Sequence, residues 1–179
     1  GGGFGPTASF YDIIDKYSFV SEGTATDVGD LTRAAGESPA RQSSETHGYT
    51  SGGYITAGDS NVIDRFSFSV DGNSTDVGDM SSARQNPSGT SSTTHGYTSG
   101  AYLSGTYTNI IDKFQFTSSA NASNIADLTV GRSGGAGISS TTHGYCSGGN
   151  PISNVIDKFT FASDANATDV GDITVARLY

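Results

Sequence analysis

The sequence predicts an all-β protein of the β-propeller class, assembled from four-stranded units that repeat roughly every 48 residues. Three observations lead there. The first is a motif on a fixed beat: SSETHGYTSGG from Ser43, SSTTHGYTSGA from Ser91 and SSTTHGYCSGG from Ser139, which space His47, His95 and His143 evenly, 48 residues apart. The second is a pair of further markers on the same beat. IIDKYSF, VIDRFSF, IIDKFQF and VIDKFTF start at Ile13, Val62, Ile110 and Val155, and TDVGDL, TDVGDM, SNIADL and TDVGDI start at Thr26, Thr75, Ser123 and Thr168. The third is compositional. With 25 glycines, much Ser, Thr, Asn and Asp, and no helical apolar period, the chain reads as short β-rich runs punctuated by turns.

Each unit divides into four strands. The first is expected near Pro87 to Thr93, ending in a turn around Thr94–His95–Gly96. The second, Tyr97 to Gly100, combines small residues with a tyrosine. The third runs from Ile110 to Thr117, equivalent to Val62 to Ser69, and the fourth from about Thr75 to Ser81. In the third strand Phe66 and Phe68 share one face and Ile63 lies on the other, so both faces are partly buried, as in a sheet packed between neighbouring sheets. Asp64 falls on the Phe face with its siblings Asp15, Asp112 and Asp157, and an Asp repeated on a buried side is expected to accept hydrogen bonds from backbone N–H groups. The approximate units are 1–41, 42–84, 85–132 and 133–179. The first supplies only a third and a fourth strand, which would leave an open edge that natural proteins avoid, so the residues are expected to be a segment of a longer repeat array.

Charge narrows the partners. Eighteen acidic residues against nine basic ones give a net charge of −9, and the basic residues are scattered, which argues against nucleic acid. An acidic surface also repels anionic membranes, and no apolar run approaches the 18 or so residues of a membrane span. Cys146 is the single cysteine, so neither an intrachain disulfide nor a cysteine-based zinc site is expected. Thr50 and Thr98 fill its slot in the sibling units, so it reads as a filler of similar size in a strand.

The candidate metal features resolve into structural readings. His47, His95 and His143 lie at a turn away from any symmetry axis, too far apart for a shared ion; each is expected to be locked by Ser or Thr hydroxyls or by a neighbouring Asp. The runs Asp71 to Asp76 and Asp164 to Asp169 space oxygen ligands as in the start of a calcium loop, but they lack the glycine and glutamate such a loop needs. Asx-type hairpin turns account for them. Asn73, Asn121 and Asn166 head N-x-S/T acceptor sequences, of consequence only in a eukaryotic secreted protein. No nucleophile elbow, P-loop or HExxH run is present, so no cofactor and no catalytic residue is assigned.

These residues resemble the kelch repeat. Arg84 and Arg132 precede a first strand, Tyr49 and Tyr145 precede the doublets Gly52–Gly53 and Gly148–Gly149, and Asp64–Arg65–Phe66 and Asp157–Lys158–Phe159 are similar to the acidic–basic–aromatic triplet of the kelch third strand. The departures are the extra residue between tyrosine and doublet, Ala101 in place of a glycine, and Val77 or Val170 where kelch usually has Trp. The regular THGY…SGG…VIDKF pattern also looks similar to kelch-like proteins of marine bacteriophages. The resemblance implies a propeller and, from the phage proteins, a virion-associated or extracellular setting. The copper chemistry known on such scaffolds needs a Tyr–Cys cross-link, which the strand slot of Cys146 does not support.

Comparison of the units locates function. The turns joining first to second and third to fourth strands share one rim and are nearly identical throughout. The connections on the opposite rim diverge: GFGPTASFYD, YITAGDSN, YLSGTYTN and NPISN after the doublets, and TRAAGESPARQ, SSARQNPSGT and TVGRSGGAGI between fourth and first strands. Phe4, Phe10, Tyr11, Tyr54, Tyr102 and Tyr107, with Asp59 and Asn150, give this rim the aromatic and polar mixture of an adaptable binding face. The expected role is non-enzymatic recognition of a glycan or surface protein. Its competitors are a purely structural subunit whose rim contacts its neighbours in an assembly, and a propeller enzyme whose catalytic residues lie elsewhere.

Overall fold

The structure is a computed structural model that describes residues 2–4, 9–37 and 39–178, with the side chains of residues 4 and 37 outside the description. The expected rim residue Phe4 therefore lies, in its side chain, outside the described residues. None of the described residues is helical. In chain order the strands are β1 (Gly3–Phe4), β2 (Phe10–Lys16), β3 (Thr26–Glu37), β4 (Ala40–Ser43), β5 (His47–Ser51), β6 (Tyr54–Ile55), β7 (Gly58–Asp59), β8 (Val62–Ser67) and β9 (Thr75–Asp79). They continue as β10 (Ser88–Ser91), β11 (His95–Leu103), β12 (Thr106–Gln115), β13 (Ser123–Asp127), β14 (Ala136–Ser139), β15 (His143–Ser147), β16 (Ser153–Thr160) and β17 (Thr168–Arg177). Four antiparallel sheets result: β1-β2-β3-β6-β7, β4-β5-β8-β9, β10-β11-β12-β13 and β14-β15-β16-β17. The last three are the four-stranded meanders that the repeat predicts, an arrangement consistent with propeller blades.

The first turn is placed differently from the sequence expectation. It spans Ser92–Thr94, and His95 already opens β11. The cause is Ser92: its hydroxyl accepts from the backbone N–H of Thr94 (3.3 Å) and His95 (2.9 Å), closing a turn at the serine and releasing the histidine to the strand. Ser44 and Ser140 do the same for His47 and His143.

The glycine after each histidine has a packing reason. Gly48, Gly96 and Gly144 stand directly opposite Phe66, Phe114 and Phe159 on the neighbouring strand. A Cβ there would come within 2.4, 2.3 and 2.4 Å of the ring. The phenylalanine lies flat across a bare backbone, which only glycine provides.

The core lies between sheets. Tyr49, Ile63, Val77 and Met80 of the second sheet enclose Phe114, Phe116 and Ala122 of the third. One unit along, Tyr97, Ile111, Ala126 and Leu128 enclose Cys146, Phe159 and Ala167. Tyr49 stacks on Phe116 at 4.7 Å and Tyr97 on Phe161 at 4.8 Å. Each tyrosine is thus a knob entering the Phe-x-Phe socket of the following sheet. Phe66 and Phe68, expected in the sheet interior, are only partly covered, and Phe68 is 49% exposed. No tyrosine among the described residues of the first sheet reaches them.

Candidate functional site

Two sets of repeated side chains have defined geometry: a buried ionic network between the sheets and the divergent rim.

The network is built by arginines within or just after a fourth strand and aspartates on the third strand of the next sheet. Arg33 meets Asp64 at 2.6 Å, Arg84 meets Asp112 at 2.9 Å and Arg132 meets Asp157 at 2.7 Å, and all three carboxylates are fully buried. Arg33 also donates to the carbonyls of Gly52 and Val62, and Arg132 to those of Gly148 and Val155, so the guanidinium clamps the glycine doublet. Burial pulls Arg33 and Arg84 below the ordinary arginine value, with Asp64 and Asp112 opposing it. Thr32 and Thr129 complete the carboxylate shell of Asp64 and Asp157 with hydroxyl bonds of 2.6 Å. At Asp112 the equivalent residue is Ser81, which gives only its backbone N–H at 2.9 Å, and Oδ1 of Asp112 is buried without a hydrogen-bond partner. Asp15, expected in the same network, is exposed, and no arginine among the described residues reaches it. Sequence reasoning missed Arg33, because it follows the TDVGDL motif at a shorter offset than Arg84 and Arg132 follow theirs. Assigning one upstream arginine to every repeated Asp would have found it.

The histidines serve their own turns. His47, His95 and His143 each share a hydrogen bond of 2.8, 2.8 and 2.9 Å between Nδ1 and the hydroxyl of the preceding threonine, and their rings tilt over the tyrosine two residues on. Asp27, Asp76 and Asp169 each accept from the glycine two residues on, Gly29, Gly78 and Gly171, inside the fourth strands and beyond the hairpin turns. Asn73, Asn121 and Asn166 instead reach across, accepting from Asp30, Asp79 and Asp127 of the preceding sheet. Cys146 is buried, its thiol donates to Ser88 at 3.4 Å, and burial raises its pKa.

The divergent rim is tied to the preceding sheets through the backbone. The residues after the doublets, Tyr54, Tyr102 and Asn150, occupy equivalent positions, and each pairs through its main chain with the connection that leaves the preceding sheet. Tyr54 pairs with Glu37, Tyr102 exchanges two hydrogen bonds (3.0 and 2.9 Å) with Gln85, and Asn150 exchanges two (2.9 and 2.8 Å) with Ser133. Side chains therefore vary at positions whose main chains are all tied to the preceding sheet.

The structure gathers the predicted rim residues into two aromatic pairs and leaves the rest apart. Phe10 meets Tyr54 edge-to-face at 6.1 Å beside a cleft of about 490 Å3 bordered by Ser9, Ala34 and Thr56. Asp59 stands opposite Tyr54 in the β6–β7 hairpin. Tyr11 follows Phe10 on the strand and so faces the other side of the sheet. Tyr102 and Tyr107 form the second pair at 5.3 Å, where β11 and β12 extend beyond the sheet to a turn at Ser104–Gly105. Asn150 belongs to neither pair. A hollow of about 790 Å3 lies at the opposite, uniform rim between Gln42–Glu45, Ser91–Thr93 and Ser139–Thr141. Its hydroxyls are largely committed to the scaffold: Ser44, Ser92 and Ser140 cap turns, while Ser91 and Ser139 accept from Ser43 and Ser91.

No family model matches the chain, and no curated protein matches it.

Proposed function

We propose that this protein is a non-enzymatic recognition module that binds a glycan or a surface protein through its divergent rim. The observation that carries this reading is the frame itself. Tyr102 and Asn150 differ in chemistry yet sit on equivalent main-chain bridges, and Tyr54 is likewise tied through its main chain to the preceding sheet, so side chains can change on a backbone that is held in place. Two partly exposed aromatic pairs on such a frame offer flat apolar area at small entropic cost, with Asp59 opposite Tyr54 for hydrogen bonds. The likeness to phage kelch-like proteins suggests a virion or tail appendage as the setting.

The test is a screen of glycans and host-surface proteins against the wild type and a variant with Tyr54, Tyr102 and Tyr107 all changed to Ala. Binding is expected to fall at least about tenfold in the variant, as when interface aromatics are truncated. Its circular dichroism should match wild type and its melting should fall only modestly, since Tyr54 is exposed and truncation of the half-buried Tyr102 and Tyr107 is expected to cost about 1 kcal/mol each. Binding that survives in the folded variant would move the site off this rim.

A further inference from the structure

Two successive junctions can be compared where the first strand of one sheet meets the second strand of the next. Gln42 of β4 pairs with Tyr49, and Thr90 of β10 pairs with Tyr97, so the two hold the same place in the repeat. The amide nitrogen of Gln42 lies 3.0 Å from Ser51 Oγ of its own sheet, and 3.0 Å from both Thr98 Oγ1 and the Tyr97 carbonyl of the third sheet. Ser51 and Thr98 are themselves joined at 2.8 Å. The second and third sheets are thus tied by a buried polar cluster with the amide at its centre.

One junction on, the counterparts are Thr90, Ser99, Cys146 and the carbonyl of Tyr145. Thr90 is 3% exposed, Ser99 1% and Cys146 0%, yet Thr90 Oγ1 and Ser99 Oγ have no hydrogen-bond partner in the protein. The Cys146 thiol turns to Ser88, which stands where the second sheet has Ala40.

Threonine is shorter than glutamine and cysteine smaller than threonine, but the backbones do not close in on the smaller side chains. A Cβ on Gly89 would lie 2.3 Å from the Arg41 carbonyl oxygen, and one on Gly137 would lie 2.2 Å from that of Gly89. Ser43 N–H donates to Ser91 Oγ at 3.0 Å, and Ser91 N–H to Ser139 Oγ at 2.8 Å. The first strands are therefore spaced alike at both junctions. The room that the Gln42 amide fills at one is not taken up by main chain at the other.

We propose that this slot between the third and fourth sheets is a binding site for one structural water, held by Thr90, Ser99 and the Tyr145 carbonyl. The water accepts from both hydroxyls and donates to the carbonyl, which supplies the roughly three partners that buried waters make. Its second hydrogen is left for the Cys146 sulfur, a weak acceptor. One junction is thus bonded through a side-chain amide and the next through an exchangeable molecule.

Thr90→Val tests this, because it removes the hydroxyl at nearly constant volume. If Thr90 bonds a water, valine strands that water and the urea midpoint falls. If the hydroxyl is merely unpaired, valine removes an unsatisfied buried group and the midpoint rises. A high-resolution crystal structure of the wild type is expected to show one ordered water within about 3.2 Å of both Thr90 Oγ1 and Ser99 Oγ. In the double variant Thr90→Gln, Cys146→Thr, which rebuilds the Gln42 cluster, the amide should replace that density. A Thr90→Val midpoint that rises or stays put overturns the proposal. So does a wild-type crystal structure in which the two hydroxyls bond each other or protein atoms alone.

Discussion

The junction between the second and third sheets and the junction between the first and second are made from the same repeat, yet they differ in what they bury. At the former, Tyr49 lies between Phe114 and Phe116, its hydroxyl donates to the carbonyl of Phe116 at 3.1 Å, and both phenylalanines are buried. At the latter, Phe66 and Phe68 pack edge-to-face on each other at 6.2 Å over Gly48, with no tyrosine of another sheet above them among the described residues. The ionic part is intact at both, with Arg33–Asp64 at one and Arg84–Asp112 at the other. The aromatic knob and the ionic clamp are therefore separable parts of one interface. A repeat residue is core or surface according to its neighbour and not its motif, as expected where stability is a sum of units and junctions.

The largest test of that separation is Phe114→Ala, expected to cost about 4 kcal/mol in chemical denaturation as a fully enclosed ring is lost. Phe66→Ala, the same motif position, should cost about 1–2 kcal/mol, because a half-covered ring loses less burial. Equal costs would break the comparison. Next comes Asp112→Ala, expected at about 3 kcal/mol because it strands the buried Arg84 guanidinium. Asp15→Ala, at an exposed position, should stay within about 0.5 kcal/mol. The clamp can also be improved. Ser81→Thr places a hydroxyl where Thr32 and Thr129 already bond their aspartates, and satisfying Oδ1 of Asp112 is expected to add about 1 kcal/mol. A loss of stability in that variant would mean that the three clamps are not equivalent.

Much of this was legible in the sequence, because each repeated motif answers to one local requirement. Strand order, the uniform and divergent rims, and the slot shared by Cys146, Thr50 and Thr98 follow from period and alternation alone. What could not be read were relations between units. Asp64 is buried and Asp15 exposed although both sit in near-identical I-I/V-D-K/R contexts, since the difference lies in whether an arginine arrives from the preceding sheet. Asn73, Asn121 and Asn166 looked like turn formers of their own hairpins, but they cap a strand of the sheet before. On the rim, the aromatic residues were visible as a set, while the Phe10–Tyr54 pair depended on β6 and β7 joining the first sheet instead of their own, and the Tyr102–Tyr107 pair on β11 and β12 extending beyond theirs. Hydrogen bonds of that kind leave no side-chain signature.

The smallest expected effect concerns the uniform rim, where His95 belongs to the junction packed on both sides. Burial first, and Lys113 second, hold its pKa below the ordinary histidine value, with Asp164 opposing. Protonation is therefore harder in the folded chain than in the unfolded one. The corresponding stability is fully present above the unfolded value of about 6.5 and is lost as pH falls through the lower folded value. His95→Gln keeps a polar side chain near Thr94 but cannot take up that proton. Its unfolding free energy, followed by urea denaturation from pH 7.5 down to pH 5, should decline less steeply than that of the wild type. Parallel curves for the two proteins would mean that His95 is solvated enough to titrate as it does in the unfolded chain, and that the junction's burial ends at Tyr97.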